Sequence, residues 1–242
     1  MSDGTDLLRD LVAGNRILAH ENIVDSLGHI SVRHPSDSTR YYLSCARSPA
    51  LVEPDDIMEF TLDNAPVRDD GRAMYIERPI HGAIYAARPD VMSIVHNHCL
   101  QIMPFAVTKT PLRPIMAGAR AMGGAIGVWD IQDKFGDTDL LVTTNDQGAD
   151  LAGGLGGAKA IMMRGHGCVM TGGTIQQAVN GAIAMRDTAA TILAATMLGG
   201  TITYLTEGEL QRPVGNRGAG QGARRGPDRT WEYLCHRAGV SI

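Results

Sequence analysis

The apolar run Met92-Ser93-Ile94-Val95 follows the turn signal Arg88-Pro89-Asp90 and closes on His96-Asn97-His98. A short apolar run bounded by turn residues predicts a buried strand. Successive strand side chains point to opposite faces, so His96 and His98 share one face. Two imidazoles side by side on a rigid element suit a divalent metal ion, although an isolated His-x-His also arises by chance on surfaces. A metal centre at this strand end requires further ligands, and the fold has to deliver them from elsewhere in the chain.

The rest of the sequence alternates strand and helix patterns. Leu7, Leu8, Leu11, Val12, Ile17 and Leu18 recur at helical spacing and predict an amphipathic first helix. Asp25-Ser26-Leu27-Gly28 reads as a turn, followed by a strand at 29–33 and its hairpin partner at 41–44. Further strands are expected at 57–61, 127–129, 160–163 and 168–170. Helices are expected at 79–87, with proline in the first turn, at 146–155, and at 175–197 behind a Thr174 cap. Segment 213–227 has no apolar periodicity and reads as a glycine-rich loop, either a plain linker or a cover for the site. The C-terminal segment 228–242 carries Trp231-Glu232-Tyr233-Leu234, which predicts a docked helix. Strands and helices mixed in this way, with no repeat and no boundary signal, predict one α/β domain of three layers over 1–242.

Composition narrows the function classes. The net charge is −4, and no run of Lys or Arg interleaves with aromatics, which excludes a nucleic-acid partner; Arg224-Arg225 sits among glycines. The four cysteines are scattered without a CxxC pair, as suits a reducing cytoplasm. No apolar run is long enough to span a bilayer, and the polar, acidic N-terminus has no signal-peptide pattern, so a cytoplasmic protein is expected.

The third ligand candidate is His166, in Arg164-Gly165-His166-Gly167 at the end of the apolar run Ala160-Ile161-Met162-Met163. Flanking glycines let the backbone turn sharply and approach a ligand closely. Three neutral histidines leave coordination positions open, the pattern of catalytic rather than structural sites. Glu77 precedes the helix that carries His81, where a carboxylate serves either the helix dipole or acid/base chemistry. Glu77 and His81 are four apart and share a direction if both are helical; His81 itself reads as a supporting residue rather than a ligand.

Glu77-Arg78-Pro79-Ile80-His81, Tyr85, Arg88-Pro89-Asp90-Val91, Val95-His96-Asn97-His98, Met163-Arg164-Gly165-His166-Gly167 and the early Gly28-His29-Ile30-Ser31-Val32-Arg33 together resemble the class II aldolase/adducin family. The resemblance runs from the first helix to about Glu209. It implies an α/β, three-layer α/β/α domain with a largely antiparallel central sheet. It also implies a divalent metal on His96, His98 and His166, Glu77 as acid/base, and a homotetramer with sites near subunit interfaces.

The chain departs from the family's sugar-phosphate enzymes at three places. It has His29 where they carry Asn, Tyr75-Ile76 where they carry Ser-Ser, and Ser44-Cys45-Ala46-Arg47-Ser48-Pro49 in place of a Thr-Pro-Ser-Gly-like turn. The missing small polar residues argue against a phosphorylated substrate. Arg47 is either a bidentate partner for a carboxylate or a solvated surface residue. The stretches 102–107 and 111–115 resemble the family's decarboxylase-like branch, which acts on hydroxylated aromatic carboxylates. The expected activity is therefore decarboxylation of a hydroxylated aromatic dicarboxylate, for instance a hydroxypyridine dicarboxylate of vitamin B6 breakdown. In this reading Glu77 is catalytic, and His29, Arg47 and Ser48 bind substrate. His81 supports the site, and Mn²⁺ is favoured over Zn²⁺ or Fe²⁺. An aldolase or epimerase on an unphosphorylated substrate, an Fe(II) oxygenase, and a non-catalytic adducin-like binding module remain as alternatives.

Overall fold

A computed structural model describes residues 4–212 and 228–241 of the chain. The loop expected over 213–227 lies outside the described residues. In chain order the elements are α1 (Gly4–His20), β1 (His29–Arg33), β2 (Arg40–Ser44), β3 (Ile57–Thr61), α2 (Pro79–Ala87), β4 (Ser93–Asn97) and α3 (Met103–Ala106). Then come β5 (Gly127–Trp129), α4 (Gln132–Phe135), α5 (Asn145–Leu155), β6 (Ala160–Met163), β7 (Gly167–Gly172), α6 (Ile175–Met197), α7 (Glu207–Gln211) and α8 (Arg229–Arg237).

The strands form one seven-stranded sheet in the order β3-β2-β1-β4-β7-β6-β5. Every neighbouring pair is antiparallel except β5 with β6, so the expected largely antiparallel sheet is present. On one face α1, α6 and α8 pack with Ile30, Val32, Val95, Met162 and Met170. On the other, α2 and α5 pack with Tyr41, Leu43, Phe60, Ile94 and Val169. The two clusters take alternate residues of the same strands, as the pleat dictates. The central strands β1 and β4 are buried at every residue, which is why β4 reads as an unbroken apolar run rather than an alternating one.

Local signals set the helix starts. Thr144 accepts a hydrogen bond from Gln147 N while the Gln147 side chain returns to the cap, so α5 begins at Asn145, one residue earlier than expected. Thr174 caps α6 in the predicted place. The strand expected from Met92 begins at Ser93. The one-turn helices α3 and α4 and the short α7 were not expected, because segments of four or five residues carry no readable period.

Two glycines shape the turn between β6 and β7. Gly165 has φ of +67°, a left-handed conformation that side chains resist. Gly167 passes so close to β4 that a Cβ there would stand 2.3 Å from the Asn97 carbonyl oxygen. Gly167→Ala is expected to cost about 1–3 kcal/mol of stability through overpacking. Gly153→Ala, in open space on α5, is expected to be neutral or to stabilise by up to ~1 kcal/mol. Denaturant unfolding of both variants checks this; equal midpoints would contradict the close approach.

Candidate metal centre

The β4 register and the glycine turn bring the predicted residues together. His29 of β1 pairs with His96 of β4, and Asn97 pairs with Cys168 of β7. The turn carrying His166 therefore lands beside His98, one residue past β4. Glu77 lies in the turn before α2, and its Oε1 accepts the Val142 N–H at 3.0 Å.

His96, His98, His166 and Glu77 each offer one ligand atom, and the four atoms lie within 4.8 Å of one another. The Nε2 atoms of His96 and His98 are 3.1 Å apart. Glu77 Oε2 stands 3.4 Å from His96 Nε2 and 3.3 Å from His166 Nε2. The outer nitrogens determine what the inner ones are. His98 Nδ1 lies 3.0 Å from the Asp25 carboxylate, which only accepts, so Nδ1 carries the hydrogen. His166 Nδ1 donates to the Leu140 carbonyl oxygen at 2.8 Å. In neutral rings both Nε2 atoms are then bare lone pairs. His166 Nε2 is buried without a hydrogen-bond partner and faces a carboxylate oxygen. Lone pairs and a carboxylate converging in a largely buried space repel unless a cation lies between them, so this donor set fits a divalent metal.

Electrostatics agree. Burial raises the Glu77 carboxyl, but positive charge among these atoms, carried by His166 or His96 when no metal is bound, lowers it further than burial lifts it, so Glu77 is a carboxylate at neutral pH. Burial pushes His96 down, towards the neutral form a ligand needs.

Asp25 was read in the sequence only as a turn residue. It accepts the N–H groups of Leu27 and Gly28 while orienting His98, the carboxylate–histidine pairing that aligns metal ligands. The turn signal concealed this role, since Asp in a turn needs no further explanation.

The other predicted residues separate. Glu77 lies outside α2, so it and His81 do not share a helix face. His81 points away from the cluster, with Nε2 at 2.7 Å from His29 Nδ1 and Nδ1 at 2.5 Å from Ser31 Oγ. The His29 ring packs 5.1 Å from that of His96 and 4.5 Å from that of Tyr75. Arg47 and Ser48 are not part of the cluster. Arg47 is exposed and pairs with Asp56 at 3.0 Å; its carbonyl accepts the Tyr75 hydroxyl, which ties its loop to the wall beside His29. Ser48 is half-buried and opens a 3-10 turn.

Residues 9–193 match the family described as Class II Aldolase and Adducin N-terminal domain. The chain belongs to this family. The decarboxylase tropJ of Talaromyces stipitatus is 33% identical over 189 residues, 73% of this chain and 71% of that protein. The 3,4-dihydroxyphthalate decarboxylase of Arthrobacter keyseri is 28% identical over 207 residues, 81% of each chain. A solved aldolase II superfamily protein from Pseudomonas syringae superposes with a TM-score of 0.76 at 20% identity, covering 96% of this chain and 92% of that one. The chain is thus an enzyme of the family's decarboxylase branch, and the binding-module alternative is set aside. No helix among the described residues is long and apolar enough to cross a membrane.

His81 is lowered from 6.5 to about 3, by burial and then by His96; His29 is likewise held well below its ordinary value by burial and His81. Both are neutral when folded and take up a proton on unfolding below about pH 6.5. The unfolded state then binds more protons, so stability falls as pH drops through this range. Thermal unfolding of the metal-free chain is expected to show a falling midpoint between pH 7 and 5, where carboxylates do not yet titrate, and a shallower fall in His81→Gln. A flat wild-type profile would contradict the buried neutral pair.

Proposed function

We propose that this enzyme is a metal-dependent carboxy-lyase that removes carbon dioxide from a hydroxylated aromatic dicarboxylate. What carries the reading is the meeting of three histidines and one carboxylate in a chain that matches named decarboxylases over 73% and 81% of its length. The substrate named for the Arthrobacter relative is itself a hydroxylated aromatic dicarboxylate. The proposed substrate is 3-hydroxy-2-methylpyridine-4,5-dicarboxylate, of vitamin B6 degradation. The enzyme is further proposed to be a cytoplasmic homotetramer.

His96, His98 and His166 hold the metal in this reading, with Mn²⁺ favoured because the substrate offers hard oxygens; Zn²⁺ and Fe²⁺ suit the same ligands. When bound, such an ion supplies Lewis acidity toward the substrate's oxygens. Glu77 moves the proton. As a carboxylate at rest, it takes the hydrogen of the ring hydroxyl and returns it to the ring carbon that bears the departing carboxylate. The ring passes through a ketone-like tautomer, the C–C electrons fall back into the ring as carbon dioxide leaves, and water restores the hydroxyl proton. His29 binds the second carboxylate. Arg47 contacts Asp56 through Nη1, and among the described residues Nη2 and Nε are left for a substrate carboxylate at the rim, beside Ser48.

Carbon dioxide release from a panel of hydroxylated aromatic dicarboxylates tests the reading. Aldehyde release or oxygen uptake in its place would overturn it in favour of an aldolase or an oxygenase. Glu77→Gln is expected to lower kcat by roughly 10²–10⁴-fold with metal content intact; near-full activity would remove Glu77 from its role. Asp25→Asn is expected to weaken metal binding roughly 10–100-fold, read by calorimetric titration.

A further inference from the structure

Behind the metal centre lies a chain of four polar groups sealed between the sheet and α2. His29 Nδ1 is 2.7 Å from His81 Nε2, His81 Nδ1 is 2.5 Å from Ser31 Oγ, and Ser31 Oγ is 2.8 Å from the Tyr85 hydroxyl. His29, Ser31, His81 and Tyr85 are each at most 1% exposed. Neither imidazole has a carboxylate within hydrogen-bond distance among the described residues. With both rings neutral, the four groups hold four hydrogens for three bonds, so one hydrogen is left over.

Two arrangements of the imidazole hydrogens are open. If they point from His29 toward Tyr85, the spare hydrogen is the O–H of Tyr85, or that of Ser31 when its oxygen accepts from both neighbours. Neither hydrogen has an acceptor: among the described residues Ser31 Oγ is the phenol's sole partner, and Ser31 Oγ itself meets only His81 and Tyr85. The Arg33 guanidinium over the ring spends Nε, Nη1 and Nη2 on the carbonyls of Val91, Ser38, Tyr85 and Arg88. If hydrogens point the other way, Tyr85 donates to Ser31, Ser31 to His81 Nδ1, and His81 Nε2–H to His29 Nδ1. The spare hydrogen then sits on His29 Nε2. That atom has no partner among the described residues and is not among their sealed unpartnered atoms, so it faces the space beside His96 where a ligand can meet it. Sealing an unpaired O–H in a dry interior is the costlier choice, so the second arrangement holds.

We infer that Ser31, His81 and Tyr85 are positioning residues that lock His29 in its Nε2–H tautomer, making it a fixed neutral donor to an anionic oxygen of the substrate. A donor of this kind selects an ionised carboxylate over an ammonium or an amide N–H, neither of which accepts, and it does not serve as a base. The identity of that oxygen, the second ring carboxylate, rests on the proposed decarboxylase reading; the tautomer does not.

Imidazole ¹⁵N–¹H correlation spectra of the full-length chain, metal-free and zinc-loaded, test the inference, with His29 assigned by its loss in His29→Gln. Wild type is expected to show His29 protonated at Nε2 alone. His81→Leu, which removes the donor that holds His29 Nδ1 as an acceptor, is expected to show mixed His29 tautomers. His29→Leu is expected to raise KM for the dicarboxylate roughly tenfold while kcat changes less than about threefold, and His29→Gln, which keeps an N–H, recovers most of the loss. Protonation at Nδ1 in wild type overturns the inference, as does a His81→Leu spectrum identical to wild type. The predicted tautomers in a protein that decarboxylates nothing in the panel would instead overturn the proposed function and leave the lock standing.

Discussion

The antiparallel ladders on either side of β4 govern the geometry of the site. They place His29 opposite His96 and Asn97 opposite Cys168. A slip of one residue in either ladder would turn His96 to the opposite face, into the apolar layer under α1 and α6. The ladder to β7 also brings the Gly165–Gly167 turn against the end of β4. The 2.3 Å that a Cβ on Gly167 would leave to the Asn97 carbonyl measures how tightly that turn is pressed in. The candidate metal centre is thus built at the join of three strands whose positions the core has already set.

That join concentrates groups that disfavour one another. Two histidines have their outer nitrogens committed, one to Asp25 and one to the Leu140 carbonyl, so their inner lone pairs face a carboxylate in a buried space. A folded chain tolerates this because the strands and the Glu77–Val142 contact hold the ligands, not because the ligands attract each other. The consequence is a site pre-organised for a cation, with the Glu77 carboxylate placed against it.

The same layer shows how polar groups are kept in a dry interior. Arg33 donates to four carbonyls, and the run from Tyr85 to His29 passes its hydrogens along in one direction. Every internal partner is used, and the one hydrogen left over emerges where a substrate would lie. Structural satisfaction and ligand recognition are here the same arrangement seen from its two ends.

Much of this was legible beforehand. The apolar runs, the Thr174 cap and the glycines around His166 are local signals, and the strands and long helices formed close to where those signals place them. His96, His98, His166 and Glu77 were identifiable because each sits at the end of such an element. Asp25 and Ser31 were not: one looked like a turn residue and the other like an ordinary strand residue, and nothing near them in the chain names their partners 73 and 50 positions away. Arg47 had the right chemistry, but its pairing with Asp56 depends on how two loops meet. Residue type and spacing therefore determined which elements form and which side chains can bind a metal, because those follow from local periodicity and backbone preference. Which nitrogen of each histidine carries its hydrogen, and so which way the site faces its ligand, was decided only when strands distant in sequence packed and left each buried group a single partner.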